Sequence, residues 1–227
     1  MVFPRPVEAV VFDMDGLLVD TEAVVRAAMI ACARGQGADL PDRVIHRMIG
    51  LPRGASDAVA REHFGPAFDY AAFDAAVEAR VLDACDAGIA LKAGVVELLD
   101  HLEARGLPAA IATSSSHTAV KRTLGPSGVL GRFRAVVAAG DYERGKPAPD
   151  PFLAAARRLA ADPARCLALE DSHNGVRAAH AAGMMTVMAP DLLAPTAEMR
   201  DLCVAIVETL HEVIALIDAR SEGGGLS

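Results

Sequence analysis

The chain has very little lysine. The only lysines among its 227 residues are Lys92, Lys121 and Lys146, so no lysine precedes residue 92. The acidic side chains number 30 against 22 basic ones, which gives a formal net charge of −8. Because an acidic chain repels polyanions, we expect neither nucleic acid nor an anionic membrane as its main partner. Any function that requires a lysine has only these few candidates.

Patterned cysteines and long apolar runs are also missing. The cysteines at 32, 85, 166 and 203 are widely spaced and form no CxxC or Cys/His zinc pattern, so they are interpreted as buried free thiols. No apolar stretch is long enough to span a bilayer. The N-terminal segment "MVFPRPVEAVVFDMDG" turns acidic too early for a signal peptide. We therefore expect a soluble, cytoplasmic protein.

What is present is a regular alternation of short apolar runs and helical patterns. Hydrophobic residues make up 52% of the chain, enough for one large domain or a core with a modest insert. Buried strands are predicted at residues 7–12, 108–113, 134–139, 165–170 and 185–189. Such nearly continuous apolar strands are typical of a parallel sheet covered on both faces. The alternation predicts a doubly wound, Rossmann-like α/β sheet.

The helices between these strands are predicted from their periodicity and from their end signals. They are expected at about 94–105, 116–124, 150–161 and 173–182. Asp150 is predicted to cap the third of these helices, with Pro151 in its first turn. Gly183 is predicted to end the helix that begins near His173.

Residues 21–86 interrupt the alternation. They contain helical patterns, at about 21–35, 41–49, 54–64 and 69–86, and no convincing strand. We therefore predict a helical cap at 19–89, inserted into an α/β catalytic core formed by 1–18 and 90–220. Residues 221–227, "SEGGGLS", are predicted to be a flexible tail.

Polar side chains cluster where the predicted strands end. The first strand ends in Asp13 and Asp15, and the fourth ends in Glu170 and Asp171. The second strand ends in "TSSS" at 113–116, and Lys146 lies in the loop after the third strand. Ligands of open α/β sheets bind outside the carboxyl ends of the strands. Since burying a carboxylate is costly unless something pairs with it, these clusters predict a metal, a ligand or a reaction at that edge.

The residue types favour phosphate chemistry. Asp13, Glu170 and Asp171 offer hard oxygen ligands of the kind that Mg²⁺ prefers, in a site that it can share with phosphate. The Thr113 hydroxyl and the Ser114 backbone N–H can bind phosphate oxygens. Lys146 can neutralise phosphate charge and hold the nucleophile. An aspartate that attacks phosphorus forms an acyl phosphate and divides one difficult step into two.

Two simpler interpretations compete with parts of this hypothesis. The segment "GDYERGKP" at 140–147 nearly fits a nucleotide-binding P-loop, but Pro147 stands where a hydroxyl residue would ligate Mg²⁺, so we reject that interpretation. The "TSSS" run could simply begin a helix. In that case Ser115 or Ser116 would cap the helix while Thr113 binds phosphate.

Four segments, in order, resemble the motifs of the haloacid dehalogenase superfamily: "DMDGLLVDTE", "IATS", "GKPAPDPF" and "LALEDSHNG". The chain is most similar to the sugar-phosphate phosphatases and β-phosphoglucomutase-like proteins of that superfamily, which carry a small helical cap. The resemblance implies a Mg²⁺-dependent phosphatase that acts on a small phosphorylated metabolite, such as a sugar phosphate, through an aspartyl-phosphate intermediate.

The resemblance also implies a role for each matching residue. Asp13 would be the nucleophile and Asp15 the general acid and base. Thr113 and Lys146 would complete the catalytic set, and Gly16 and Ser114 would help to bind phosphate. The metal ligands would be Asp13, the backbone carbonyl of Asp15, and Asp171, with Glu170 ligating either directly or through water.

Two other branches of the superfamily fit the sequence poorly, and a third is harder to exclude. Dehalogenases typically lack the second aspartate, and phosphonoacetaldehyde hydrolase needs a cap lysine that is absent here. In "IGLPRGAS" (49–56), Gly50 and Arg53 resemble the cap loop that β-phosphoglucomutase uses to bind substrate. That enzyme, however, has a histidine where Val25 aligns, and it also has a cap lysine. A hydrolase is therefore favoured over an isomerase of hexose phosphates, and a non-catalytic binding module is the third alternative.

Overall fold

The computed structural model describes residues 3–48 and 53–221. It divides into two compact units. One combines Met1–Asp20 with Ala90–Ser227, and the other is Thr21–Ile89. Among the described residues no helix has both the length and the apolar character needed to cross a membrane.

The first unit is built on a six-stranded parallel sheet. Its strands are β1 (Ala9–Phe12), β2 (Ala109–Ser116), β3 (Ala135–Ala139), β4 (Cys166–Glu170), β5 (Met185–Met188) and β6 (Ala205–Ile206). Their spatial order is β3-β2-β1-β4-β5-β6, so β1 and β4 are central neighbours. The predicted doubly wound α/β fold is confirmed. Five of its strands were expected, and the two-residue β6 was not.

Helices occupy the connections between the strands, and they are the regular elements found in the described part of the second unit. The second unit contains α1 (Thr21–Gly35), α2 (Asp42–Met48), α3 (Arg53–Phe64) and α4 (Tyr70–Ala87). The first unit contains α5 (Val95–Ala104), α6 (His117–Leu124), α7 (Asp150–Leu159), α8 (His173–Ala181), α9 (Ala197–Leu202) and α10 (Leu210–Ser221).

The core of the first unit explains the apolar strands. All four residues of β1 are fully buried, and Val11 packs in one cluster with Phe152 of α7 and Ala178 of α8. Because successive side chains of a strand point to opposite faces, burial of every residue means that both faces of β1 are covered. The second unit has a separate core, in which Met29, Leu40 and Phe73 are buried.

Three local predictions have different outcomes. Gly183 follows the end of α8 with a positive φ of 81°, and its N–H donates to the His180 carbonyl, so the predicted helix end is confirmed. The predicted capping role of Asp150 is wrong, because α7 begins at Asp150 itself and its carboxylate accepts instead from the Arg144 guanidinium at 2.8 Å. Ser221 ends α10 rather than starting a tail, and 222–227 lie outside the described residues.

Candidate active site

The central pair of strands brings two buried acids side by side. Phe12 is paired with Leu169 at the ends of β1 and β4, and the Asp13 N–H donates to the Leu169 carbonyl at 2.9 Å. The next side chains are therefore Asp13 on one strand and Glu170 on the other. Glu170 has no exposed surface, and Asp13 is buried with 7% exposed. Two carboxylates this deep need compensating charge.

Lys146 supplies part of that charge. Its Nζ donates to Oδ1 of Asp13 and, at 2.5 Å, to Oε1 of Glu170, and its side chain is only 6% exposed. Burial lowers the pKa of Lys146, but the carboxylates of Asp13 and Glu170 raise that pKa by more, so the ammonium stays charged. Burial raises the pKa of Asp13, while the Lys146 ammonium lowers it by less. One buried lysine thus does not fully offset two buried acids.

The second oxygen of Glu170 is held by the start of α8. Its Oε2 accepts from the backbone N–H groups of Asp171 at 3.0 Å and Ser172 at 3.1 Å, and from the Ser172 hydroxyl at 3.0 Å. Ser172 also caps α8 by accepting from the N–H of Gly175 at 3.1 Å. Free N–H groups at a helix N-terminus stabilise a negative charge. Both oxygens of Glu170 are therefore bound by protein donors.

Gly175 leaves the space that Glu170 occupies. A Cβ placed on Gly175 would overlap the Glu170 carboxyl group. We expect Gly175→Ala to displace that carboxylate, to destabilise the protein by about 1–3 kcal/mol through overpacking and to lower turnover at least tenfold. Thermal unfolding and an assay of phosphate release measure the two effects.

Gly131→Ala is the matched control for this prediction, because a Cβ on Gly131 meets nothing within 4 Å. It should leave stability and turnover near those of the unaltered protein. If Gly175→Ala behaved like Gly131→Ala in both measurements, the tight contact between Gly175 and Glu170 would be refuted.

Three carboxylates at this edge are close enough to share a cation. Asp13, Glu170 and Asp171 each offer an oxygen, and these oxygens all lie within 4.8 Å of one another. Oδ2 of Asp13 receives no hydrogen bond from a described residue, whereas both oxygens of Glu170 do. An all-oxygen donor set of this kind fits a hard divalent cation.

The orientation of Asp15 is set by a turn in the chain and by a serine that is distant in the sequence. Gly16 follows with a φ of +82°, and its N–H donates to the Val19 carbonyl at 3.0 Å, so the chain turns directly after Asp15. Glycine adopts this left-handed conformation without the strain that a side chain would cause. Oδ2 of Asp15 accepts from the Ser115 hydroxyl at 2.7 Å. From the sequence, Ser115 is predicted only as a possible helix cap, so its contact with Asp15 is a new finding.

The end of β2 divides its hydroxyls among different tasks. Ser116 caps α6 by accepting from the Ala119 N–H at 3.2 Å, as the sequence analysis allowed. Thr113 is buried, whereas Ser114 is exposed. The pairing of β2 with β3 shifts register between Ala112 and Ser116, and within this irregular end the Ser115 N–H donates to the Thr113 hydroxyl at 3.0 Å. Because regular strand alternation is lost here, no spacing signal in the sequence indicates the contact of Ser115 with Asp15.

Tyr142 is a residue at the site that the sequence analysis missed. Its hydroxyl donates to the Thr113 carbonyl at 3.0 Å and so ties the loop after β3 to the end of β2. Burial raises the pKa of Tyr142, and the nearby Lys146 ammonium lowers it by less. The phenol therefore remains protonated and continues to donate near neutral pH. Nothing in the sequence around Tyr142 indicated this contact.

The two cap residues singled out from the sequence are not placed at the site. Gly50 lies outside the described residues. Arg53 is the first residue of α3, but its side chain lies outside the described part of the structure. Their proposed contact with substrate stays a prediction.

Comparison with known proteins gives a consistent family. The model of the haloacid dehalogenase-like hydrolases matches residues 7–183, which is more than half of the chain. Protein CbbY of Rhodobacter capsulatus is 33% identical over 223 residues, covering 91% of this chain and 98% of that protein. The "probable pseudouridine-5'-phosphatase" of Drosophila melanogaster is 35% identical over 193 residues, covering 82% of this chain and 83% of that protein.

A solved structure agrees with these relatives. The crystal structure of CbbY from Rhodobacter sphaeroides in complex with phosphate superposes with a TM-score of 0.74 at 26% identity. The match covers 93% of this chain and 99% of that one. The similarity therefore includes both units of the chain rather than the α/β unit alone.

Proposed function

Because the chain belongs to the haloacid dehalogenase-like hydrolase family, as its motifs predicted, we propose that it is a Mg²⁺-dependent phosphatase of a small phosphorylated metabolite. We propose a sugar phosphate as the substrate and an aspartyl phosphate as the intermediate. The observation that carries the proposal is the position of Lys146, which bridges Asp13 and Glu170. The relatives named as phosphatases support a phosphoric monoester hydrolase.

In the first step of this proposal a carboxylate oxygen of Asp13 attacks phosphorus. The bond from phosphorus to the ester oxygen breaks, and Asp15 gives that oxygen a proton. In the second step water attacks the aspartyl phosphate, Asp15 takes the proton from that water, and the bond between Asp13 and phosphorus breaks. Inorganic phosphate leaves, and both aspartates return to their starting states.

Lys146 and the end of β2 would hold the phosphoryl group during both steps. Lys146 keeps Asp13 in place and brings a permanent positive charge to the site. The Thr113 hydroxyl, the Ser114 N–H and the turn at Gly16 are the proposed phosphate contacts. Hydrogen-bond donors fixed before the reaction stabilise charge that develops on phosphate oxygens without having to reorganise.

Asp13, the Asp15 carbonyl and Asp171 are the proposed ligands of Mg²⁺. The ion would supply positive charge against the phosphate oxygens and favour the ionised form of Asp13, whose pKa burial otherwise raises. Glu170 has both oxygens engaged by Lys146 and by the start of α8. We therefore propose that Glu170 acts through these donors, or through a metal-bound water, rather than as a direct ligand.

The helical unit is proposed to act as a cap over substrate. Gly50 and Arg53 of this unit would contact the part of the substrate that does not react. Closure of such a cap would exclude bulk water and complete the site. We also propose a cytoplasmic location, with a small phosphorylated molecule rather than nucleic acid as the binding partner.

An assay of phosphate release tests the function. With Mg²⁺ present, the protein should release phosphate from an aryl phosphate and from one or more members of a sugar-phosphate panel. Excess EDTA should abolish this activity, and added Mg²⁺ should restore it. Release that is indifferent to EDTA would refute the metal requirement, and no release from any substrate would leave the fold with a binding role instead.

A further inference from the structure

A second ion pair between a lysine and a carboxylate, formed by Lys92 and Asp191, lies at the same edge of the sheet. Lys92 donates from Nζ to Oδ1 of Asp191 at 2.8 Å, and the Lys92 N–H also donates to the Leu18 carbonyl at 3.0 Å. Asp191 lies just beyond the end of β5, and its side chain is only 13% exposed. The pair therefore joins the segment that follows β1 to the loop that follows β5.

The other oxygen of Asp191 is left without a donor. Oδ2 is buried, and it has no hydrogen-bond partner among the described residues. Lys92 balances the charge of Asp191 but reaches only Oδ1. A buried carboxylate oxygen that accepts no hydrogen bond costs free energy, so a native structure needs a reason to retain it.

The position of Oδ2 suggests that reason. A Cβ placed on Gly16 would lie within 4 Å of both Oδ2 of Asp191 and Oδ2 of Asp171. The bare Cα of Gly16 is thus what allows these two carboxylate oxygens to approach the same point. Asp171 is a member of the carboxylate cluster, so Asp191 directly borders the proposed metal site.

A cavity of about 370 Å³ is lined by Gly16, Lys92 and Asp20, together with Pro190, the neighbour of Asp191. Oδ2 of Asp191 is itself buried and accepts from no described protein group, so a bound water is the kind of donor that it lacks. This arrangement differs from that of Glu170, whose oxygens are both bound by protein donors.

We infer that Asp191 is an outer-sphere residue of the metal site. This inference rests on the proposed function, because it assumes that the site binds a divalent cation. Its free Oδ2 accepts a hydrogen bond from a water ligand of the divalent cation, and Lys92 fixes the carboxylate in the required orientation. Mg²⁺ retains several of its waters in proteins, and these waters are strong donors. Residues that hold such waters tune the affinity of a metal site without touching the ion.

The test is the affinity for Mg²⁺ in the absence of substrate. Isothermal titration calorimetry should give a dissociation constant that is about 10- to 100-fold higher for Asp191→Asn than for the unaltered protein. The amide can still accept from Lys92, but in place of Oδ2 it presents an NH₂ group that cannot accept from water. Thermal unfolding of the metal-free variant should occur at the same temperature or a higher one. Asp191→Ala should weaken Mg²⁺ binding to a similar extent.

Asp218→Asn is the matched control, because it removes the same charge from an ion pair with Arg105 on the surface of α10. It should leave Mg²⁺ affinity unchanged. Equal affinity in Asp191→Asn and the unaltered protein, or an equal loss in Asp218→Asn, would overturn the inference while leaving the phosphatase assignment intact. An unaltered protein that binds no divalent cation would overturn both the inference and the metal requirement of the proposed function, and phosphate release would then be indifferent to EDTA.

Discussion

Asp13→Asn should fold normally and lose nearly all turnover, with kcat reduced by roughly 10⁴- to 10⁶-fold, as for other enzymes that lose part of a nucleophilic unit. A carboxamide is a poor nucleophile, so the covalent intermediate cannot form at a useful rate. The substitution also removes one negative charge from the carboxylate cluster. Single-turnover phosphate release with an aryl phosphate is the most sensitive measurement.

The contacts around Asp13 explain why folding should survive. Lys146 can donate to the amide oxygen of an asparagine as it does to Oδ1 of the aspartate. The buried lysine would then face a single buried acid, Glu170, so the charges balance. We expect the melting temperature to be unchanged or raised.

The control for this variant is Asp218→Asn, which makes the same substitution at a surface ion pair of α10 and should keep full turnover. Radiolabelled phosphate should remain attached to the unaltered protein after rapid acid quenching, and it should be absent from Asp13→Asn. Appreciable steady-state release by a pure Asp13→Asn protein would refute the assignment of Asp13 as nucleophile.

The positions of the acids at the site could be predicted because they follow from strand order. A buried parallel strand is recognisable from its continuous apolar run, and its last residue and the residue after it must lie at the carboxyl edge. Asp13 and Glu170 are neighbours for this reason. The strand β6 was missed because its two residues are only half-buried, and so short a segment has no periodicity.

The side-chain partners at the site could not be predicted in the same way. Ser115 reaches Asp15 across 100 positions of the sequence, and Lys92 reaches Asp191 across 99. Such contacts depend on rotamers and on the exact loop path, neither of which leaves a local pattern. The error at Asp150 has a similar cause, because a nearby arginine competes for the carboxylate that local spacing assigns to the helix.

The proposed dual role of Asp15 leads to the second large effect. The chain turns at Gly16, directly after Asp15, and so leaves the path of β1. The Ser115 hydroxyl donates to one carboxylate oxygen of Asp15 at 2.7 Å. The other oxygen can then exchange a proton with the leaving group and afterwards with water. General acid–base help of this kind is worth roughly 10²- to 10⁴-fold in rate.

Asp15→Asn should therefore lower kcat by roughly 10²- to 10⁴-fold on a sugar phosphate, because an amide neither protonates the leaving alkoxide nor takes a proton from water. With an activated aryl phosphate, whose leaving group needs little protonation, formation of the aspartyl phosphate should be less affected. Hydrolysis of the intermediate should still be slow, so labelled phosphate should accumulate on Asp13. Ser115→Ala, which keeps the carboxylate but removes its donor, should have a smaller effect on both substrates. An equal loss on both substrates, with no accumulated intermediate, would refute the acid–base role.

The fate of the phosphoryl group then separates hydrolysis from isomerisation. In the proposed phosphatase, water attacks the aspartyl phosphate, so one ¹⁸O atom from labelled solvent must appear in each phosphate released. In an isomerase of hexose phosphates, a second sugar hydroxyl would take the group, and Asp15 would receive the proton from that hydroxyl. We expect solvent label, because Val25 replaces the histidine of the mutases and no lysine occurs between Thr21 and Ile89. Rapid isomerisation of a hexose phosphate with negligible phosphate release would assign the same two aspartates to a mutase.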